Sequence, residues 1–475
     1  MLLNAFKILN KKISFNHKVN KITINSKNVE YGDIFFAIKG SKNDGNLYIE
    51  EAIRKGAKTI VTENGEVLFN NANIVIVKDI QKYLAECCRR YYGDLSRKVS
   101  LIGITGTNGK TTTATLIYKY LRFINEKATL ISTNGIFIND NYYKTNNTTP
   151  NIIEIYNILK ESIKEKIKYV IMEVSSHSVK LNRIYGLTYK VGGLTNITHD
   201  HLDFHKNIED YRLSKIMFLS RCEKAVLNID YIDYRSYFNN NVTFYGDKQN
   251  KYNEYYICNV EEGLMNTKFN VYINRIPLSF ETSLLGKFNV YNIILFISII
   301  KSLNLYNKEY IKNFLLQDIN IPGRIDIVNK NPLIFVDFAH TPDAVNNILS
   351  FIKRNMHEGK IICVIGMGGD RDKSKRQLVG KITTDLSDVV IFTEDNNRSE
   401  NVEDIISDII INIDKDNYYI EYDRLNAIKK ALELSNLDDI ICVLGRGCEE
   451  YLEKNNVLYP FNDKNEILKL IYKLY

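Results

Sequence analysis

The segment Gly103-Ile-Thr-Gly-Thr-Asn-Gly-Lys-Thr-Thr112 leaves few folds open to this chain. It follows the apolar run Val99-Ser-Leu-Ile, which reads as a buried strand. It opens into Thr113-Ala-Thr-Leu-Ile-Tyr-Lys-Tyr-Leu-Arg122, where Leu116, Ile117, Tyr120 and Leu121 recur at helical spacing. A strand, a Gly-rich turn and a helix start form a phosphate cradle, because backbone N–H groups point inward and the helix N-terminus carries partial positive charge. The general phosphate-loop pattern would place its first glycine at Ile104, so what stands here is the compact form Gly106-Thr-Asn-Gly-Lys-Thr111. Gly106, Thr107, Asn108, Gly109, Lys110, Thr111 and Thr112 are therefore expected to bind ATP or a close relative, with Lys110 on the outer phosphates and the Thr111 hydroxyl placed for Mg²⁺. The alternative is a Gly-rich turn with a surface lysine.

At 475 residues the chain is too long for one core and suggests about three domains. Its apolar share of 45% and charged share of 25% are those of a globular protein. Seven cysteines form no C-x-x-C pair and no zinc spacing, which favours free thiols in a reducing cytoplasm. The start Met1-Leu-Leu-Asn-Ala-Phe-Lys is too short and interrupted for a signal sequence. The most apolar run, Ile293–Ile300, falls short of the ~20 residues a membrane span needs and reads as a buried helix. The net charge of +7 is spread without a basic block, so anionic small substrates explain it as well as nucleic acid does.

Three blocks separate by pattern, and the fold class is α/β. Residues 1–97 carry short strands at Ile34–Ile38, Thr59–Thr62 and Ile74–Val77, with a helix between Tyr48 and Lys55: a small α/β unit. Residues 98–322 alternate strands and helices around the phosphate loop, as in a mainly parallel sheet covered by helices, with a β-rich insertion over 225–282. Ile321-Pro-Gly-Arg-Ile325 marks the next boundary. Residues 323–475 repeat strands at Leu333–Val336, Ile361–Ile365, Val389–Phe392 and Ile440–Leu444. Each precedes a Gly- or Asp-containing loop, as in a doubly wound, Rossmann-like domain.

In Tyr169-Val-Ile-Met-Glu-Val-Ser-Ser-His-Ser178 a carboxylate emerges from an apolar strand, which is costly unless it is paired or metal-bound. Near a phosphate loop that metal is Mg²⁺, and Glu173 is the candidate ligand; a carboxylate bonded to a helix end is the alternative. Three of the seven histidines crowd into Asn196-Ile-Thr-His-Asp-His-Leu-Asp-Phe-His205. The crowding suggests zinc, but no cysteine is near, and Asp200 and Asp203 are hard oxygen donors. A Mg²⁺ or phosphate role for His201, oriented by its neighbours, is the preferred expectation. Lys215 lies on an otherwise apolar helix side, so it must snorkel, pair or be modified.

The phosphate loop, Met172-Glu-Val-Ser-Ser-His177, Asp200-His-Leu-Asp-Phe-His205, Val336-Asp-Phe-Ala-His-Thr-Pro-Asp343 and Gly368-Gly-Asp-Arg-Asp-Lys373 occur in this order. With them the chain closely resembles the Mur ligases, ATP-dependent amide-bond formers of peptidoglycan synthesis, over essentially its whole length. Within them it is similar to the branch that adds the third amino acid. The resemblance implies a UDP-binding N-terminal domain, a central ATPase domain and a C-terminal Rossmann-like domain. It implies that Lys110 and Thr111 hold ATP phosphates and Mg²⁺, that Glu173 and His201 hold metal, and that Lys215 is carbamylated by CO₂ to an anionic metal ligand. A lysine near its reference pKa of ~10.4 is a cation and cannot react with CO₂, so desolvation and a nearby metal would have to favour the neutral amine. Asn289 and Arg324 match positions near the adenine and phosphates, and Asp337 and His340 a loop closing over ATP. Asn147, Thr148, Thr149, Ser175 and Arg183 match the grip on UDP-N-acetylmuramoyl-L-Ala-D-Glu. Ser26 matches a uridine contact, although Asn25-Ser-Lys27 replaces the common Asp-Ser-Arg.

The amino-acid pocket carries the specificity. Relatives that take meso-diaminopimelate present an Asp-Asn-Pro-Arg segment, which here reads Asp395-Asn396-Asn397-Arg398. Arg398 keeps the fork that a second carboxylate prefers, whereas lysine as substrate would leave it unpaired. Gly445-Arg-Gly-Cys-Glu449 replaces the usual Gly-Lys-Gly-His-Glu. Gly445 lines the pocket, Glu449 could receive the distal ammonium and Arg371 the other carboxylate. The expected enzyme passes the γ-phosphate of ATP to the D-glutamyl carboxylate and lets the third residue attack the acyl phosphate. Meso-diaminopimelate is the expected amino acid, with lysine, ornithine and lanthionine as alternatives. The expected protein is a cytoplasmic monomer with no nucleic-acid partner and no membrane span. A folylpolyglutamate synthase, a catalytically silent scaffold of the same fold and a phosphate-loop motor or GTPase are the competing readings.

Overall fold

The computed structural model describes residues 2–3, 14–40, 43–66, 69–145, 147–231, 237–238, 241–247 and 253–474. Most of the N-terminal stretch Met1–Lys7, read above against a signal sequence, lies outside them, as do parts of the 225–282 insertion. Two compact units are formed, one from Met1–Gly103, Asn125–Gly192 and Met217–Glu223, the other from Ile104–Ile124, Gly193–Ile216 and Lys224–Tyr475. The chain passes between them within the strands Ser100–Thr105 and Val191–Leu194 and the helix Ile208–Leu219.

The first unit begins with a parallel four-stranded sheet, Ile22–Thr23, Ile34–Phe36, Thr59–Thr62 and Asn73–Ile76 in spatial order. Phe35, Ala37 and Ile60 pack on Ile49 and Ala52 of the short helix Ile49–Arg54. Asp79 caps the helix Ile80–Tyr92 by accepting from the Lys82 N–H. That helix lies against Ile152–Lys164, with Tyr92 stacked on Tyr156 at 5.5 Å between ring centres. Asn151 and Glu154 start the second helix with a reciprocal capping box. The strand Tyr169–Glu173 pairs in parallel with Ala128–Ser132, which continues into the antiparallel strands Gly135–Ile138 and Asn141–Tyr143.

In the second unit the helix Lys110–Phe123 packs along Lys287–Ser302, the buried apolar helix foreseen from Ile293–Ile300. Tyr120 meets Phe296 and Phe314 edge-on at 5.3 and 5.5 Å, which fixes the register between these helices. The insertion is β-rich as read: Ala225–Asn228, Val242–Gly246 and Asn253–Glu262 run parallel, then Thr267–Ile273 and Ile276–Thr282 fold back as hairpins.

The C-terminal segment forms a six-stranded sheet in the order Asp326–Lys330, Leu333–Asp337, Ile440–Leu444, Ile361–Ile365, Val389–Phe392, Tyr418–Ile420. Only its first pairing is antiparallel. The central strands are apolar at every position because helices cover both faces. Phe335, Cys363, Ile365, Phe392 and Leu444 face Pro342–Asn355, Ser374–Leu386 and Val402–Ile410, while Val336, Val364, Ile391 and Val443 face Arg424–Leu434 and Asp463–Leu474. All four parallel strands foreseen in this region are present. Their carboxyl ends deliver Asp337, Gly366, Thr393 and Gly445 to one edge, where ligands bind in sheets of this kind. All seven cysteines are free, and no helix among the described residues is long and apolar enough to cross a membrane.

Candidate functional site

The phosphate loop is built as its sequence requires. Gly106 (φ +147°) and Gly109 (φ +82°) adopt backbone conformations that L side chains rarely take, and both are closely overlaid. A Cβ on Gly106 would lie 1.8 Å from Thr195 Oγ1, and one on Gly109 would lie 2.2 Å from Asn292 Oδ1. Asn196 Oδ1 accepts from the Asn108 N–H (2.9 Å), and the Thr107 hydroxyl meets Tyr211 OH at 3.0 Å. Lys110 Nζ donates to the carbonyls of Gly106 (2.8 Å) and Thr107 (2.7 Å). Asn289 joins this frame indirectly, accepting from Asn292 Nδ2 at 3.0 Å.

Lys215 does not snorkel. It is 1% exposed, its Nζ donates to the same Gly106 carbonyl at 3.0 Å, and it sits 4.2 Å over the Tyr211 ring. Burial, reinforced by the Lys110 charge and opposed by Asp200, holds its amine well below the usual lysine range. The three crowded imidazoles go to three different partners. His199 Nε2 meets Asp372 Oδ2 at 3.1 Å, His201 Nε2 meets Asp200 Oδ2 at 3.3 Å, and buried His205 faces Asp210 at 3.4 Å. Asp200 is buried against Lys375; although burial pushes its carboxyl upward, the charges of His201, Lys375 and His340 hold it below the usual carboxylate range.

The start of the C-terminal segment reaches this loop. Arg324 donates to Thr111 Oγ1 at 3.0 Å and lies over the Phe338 ring, and Asn108 Nδ2 donates to Asp343 Oδ2 at 3.0 Å. Asp337 turns its carboxylate onto the N–H groups of Ile325 and Ala339, both at 2.7 Å, so it shapes the loop that carries Arg324 and His340. Burial raises the Asp337 carboxyl and lowers the His340 imidazole, whose Nδ1 faces the Phe338 carbonyl at 2.9 Å.

In the first unit, Glu173 is fully buried at the end of its strand and accepts from the Thr133 N–H (2.9 Å) and hydroxyl (3.3 Å). Thr133 Oγ1 reaches Thr148, and Thr149 Oγ1 donates to the Glu173 carbonyl at 2.8 Å while accepting from the Ser175 N–H. Glu173, Thr148, Thr149 and Ser175 are thus brought together, with Ser175 also capping the turn Ser176–Lys180. Asn147 is exposed beside them in sequence, and Arg183 is half-buried, its guanidinium pKa lowered by burial. Ser26 is buried and donates to Glu51 at 2.7 Å.

The remaining residues meet at the carboxyl edge of the C-terminal sheet. Arg398 donates to the Gly369 carbonyl at 2.5 Å and pairs with Glu453 at 3.5 Å. Arg371 is close enough that, after burial, Arg398 is the next cause depressing its pKa. Glu449 accepts from Asn396 Nδ2 at 2.7 Å, and burial followed by the Asp395 charge pushes its carboxyl up to about 7. Arg446 lies beneath them, with Nη1 3.3 Å from Asp395 and 3.6 Å from Glu449. A Cβ on Gly445 (φ +109°) would stand 3.0 Å from Asp395 Oδ2. Two guanidinium groups beside a carboxylate that titrates near neutrality can read a molecule bearing both carboxylate and ammonium groups.

Residue patterns missed the supporting groups: Thr195, Asn196, Tyr211 and Asn292 around the loop, Thr133 at Glu173, and Lys375 on Asp200. Their signal is tertiary, since Asn292 and Gly109 are far apart in the chain.

Three family models match in order. They are the Mur ligase family catalytic domain over residues 18–92, the Mur ligase middle domain over 104–300, and the Mur ligase glutamate ligase domain over 323–447. The UDP-N-acetylmuramoyl-L-alanyl-D-glutamate--2,6-diaminopimelate ligase of Clostridium tetani is 38% identical, covering 99% of this chain and 98% of its own. The protein of that name from Clostridium perfringens is 36% identical, covering 96% and 95%. A solved structure of a ligase of that name superposes with a TM-score of 0.67 at 28% identity, covering 96% of each chain. Sequence over nearly the full length, fold and the arrangement of the phosphate loop agree: the chain belongs to the Mur ligase family.

Proposed function

We propose that this ATP-dependent ligase of peptidoglycan synthesis joins meso-2,6-diaminopimelate to the free D-glutamyl carboxylate of UDP-N-acetylmuramoyl-L-Ala-D-Glu. The carrying observation is the grouping of Arg398, Arg371 and Glu449 at one sheet edge, which offers cations to carboxylates and an anion to an ammonium. Lysine and ornithine would leave one guanidinium without a partner, whereas a lanthionine-like diacid would satisfy both. The 2,6-diaminopimelate in the names of the relatives supports the first choice.

In this reading the γ-phosphoryl group of ATP passes to the D-glutamyl carboxylate, giving an acyl phosphate and ADP. The amino group of the third residue attacks the acyl carbon, phosphate leaves, and the nitrogen gives up a proton. The loop N–H groups and Lys110 align and neutralise the phosphates, and Arg324 approaches from beside Thr111. Thr111, Glu173, His201 and a carbamate on Lys215 would hold Mg²⁺, whose charge would neutralise the phosphate oxygens. The donor chemistry suits a hard cation, since it consists of a hydroxyl, a carboxylate, a carbamate and an imidazole. Burial, reinforced by the Lys110 charge, favours the neutral form of the Lys215 amine, and that form can add to CO₂ with loss of one proton. Asn289, His340 and Asp337 are assigned to the ATP side, and Ser26, Asn147, Thr148, Thr149, Ser175 and Arg183 to the UDP-muramoyl dipeptide. We place the domain boundaries at 97/98 and 322/323 and the enzyme, as a monomer, in the cytoplasm where nucleotide substrates are made.

Phosphate release with ATP, Mg²⁺ and the muramoyl dipeptide, measured against meso-diaminopimelate, meso-lanthionine, L-lysine and L-ornithine, tests the reading. Turnover is expected with the diacids, and Arg398→Ala should raise their KM far more than that of ATP. Turnover with lysine alone would overturn the pocket assignment, and no turnover with any of the four would overturn the ligase reaction.

A further inference from the structure

Arg446 is the largest charged group beneath the amino-acid pocket, and the reaction scheme above gives it no task. It is 1% exposed. Its Nη1 donates to Asp395 Oδ1 (3.3 Å) and Asn396 Oδ1 (3.2 Å) and lies 3.6 Å from Glu449 Oε2, while Nη2 donates to the Tyr451 carbonyl. One guanidinium therefore touches two loops, Thr393–Arg398 and Gly445–Glu449, and the first residue of the ribbon formed by Tyr451–Lys454 and Val457–Pro460.

The contacts beyond it lead to the groups that face the ligand. Asn396, held through its Oδ1, gives its Nδ2 to Glu449 and also accepts from the Glu453 N–H at 2.8 Å. Glu453 in turn pairs with the Arg398 side chain and accepts from the Arg398 N–H at 3.0 Å, while the Arg398 carbonyl accepts from the Asn455 N–H at 2.7 Å. Arg398 thereby sits in a left-handed backbone conformation, φ +54°, which its surroundings must enforce. Within this cluster Arg446 Nε is buried and has no hydrogen-bond partner among the described residues. An arrangement selected for stability alone would not retain a buried guanidinium with an unused N–H, because such a donor costs stability.

We propose that Arg446 is the positioning residue of the amino-acid pocket, fixing Glu449 directly and Arg398 through Asn396 and Glu453 so that ammonium and carboxylate readers stand at a set spacing. The inference rests on the ligase reading above and deepens it. Arg446 acts on affinity and selectivity for the amino acid and leaves the phosphate loop untouched.

The test is steady-state kinetics on the full chain as wild type, Arg446→Met and Arg446→Lys, with KM determined separately for meso-diaminopimelate, ATP and the muramoyl dipeptide. Methionine keeps bulk and removes the charge, leaving Asp395 and Glu449 facing each other. It should raise the KM for the diamino diacid about tenfold or more, with the other two KM values within about twofold. Lysine restores one charge without the fork and should recover part of that loss, leaving the amino-acid KM a few fold above wild type. Unchanged amino-acid KM in Arg446→Met, or a parallel rise in all three KM values with Arg446→Lys no better than methionine, would overturn the proposal. If Arg446→Met does not fold, Arg446→Lys decides alone: a selective rise of a few fold in the amino-acid KM supports the assignment, and wild-type values refute it. A wild type that turns over none of the amino acids would instead bring down the ligase reading itself, a result read before any variant is compared.

Discussion

Replacing Gly109 by alanine should damage nucleotide binding by an amount the structure allows one to work out. Gly109 holds φ +82°, a region that costs an L residue about 1–2 kcal/mol. Its new Cβ would stand 2.2 Å from Asn292 Oδ1, so Asn292 must move. That side chain donates to Asn289 at 3.0 Å inside a buried helix contact, and losing the bond costs about 1–2 kcal/mol more. The sum, about 2–4 kcal/mol, falls on the loop conformation that receives phosphates. It corresponds to roughly 30- to 700-fold weaker ATP binding, at 1.4 kcal/mol per decade. Titration calorimetry with ATP and Mg²⁺, together with thermal melting, measures both ways the strain can be expressed. Gly65→Ala is the matched control, since a Cβ there meets nothing within 4 Å. Adding Asn292→Ala to Gly109→Ala removes the clash and leaves the backbone cost, so the double variant should bind better than additivity predicts. Gly109→Ala with ATP affinity within twofold of wild type and an unchanged melting temperature would refute the reasoning.

Three further outcomes follow from buried charges. Arg424, fully buried, binds both oxygens of Asp463 at 2.7 and 2.8 Å and donates to the Leu444 and Glu394 carbonyls, so Arg424→Ala should cost about 3–5 kcal/mol in denaturant unfolding; a loss below 1 kcal/mol would contradict it. Glu449 has its carboxyl raised to about 7 by burial and Asp395, so the folded state holds a proton that the unfolded state releases from about pH 4.5 upward. Stability is then lost between about pH 4.5 and 7, and Glu449→Gln should abolish that loss and be the more stable protein at pH 8. The same ionisation should lower the amino-acid KM as pH rises through about 7 in the wild type and leave it flat in Glu449→Gln.

The phosphate loop was legible because its chemistry is local: strand, two glycines, lysine and helix start lie within ten residues, and each constraint acts on its neighbours. The C-terminal strands were legible for a related reason, since unbroken apolar runs such as Ile361–Ile365 are what a sheet covered on both faces demands. What could not be read is what holds these pieces in place. Asn292 over Gly109, Arg324 on Thr111 and Thr133 on Glu173 each depend on how separate segments pack, and a lone Asn or Thr carries no sign of its partner. Lys215 shows the limit clearly. Its helix left snorkelling, pairing and modification open, and the packing of Tyr211 and Gly106 around its amine decided against the first.

The stretch from Gly366 to Lys375, a loop and the first residues of the helix Ser374–Leu386, faces two tasks at once. Arg371 is assigned to the amino-acid side in the proposal above, and Asp372 and Lys375, within four positions of it, bond His199 and Asp200 beside His201, the proposed metal ligand. If a shift at one end of this stretch carries to the other, the two sites are coupled. Thermodynamic linkage then fixes a symmetry: whatever factor the amino acid contributes to tightening the nucleotide, the nucleotide returns to the amino acid.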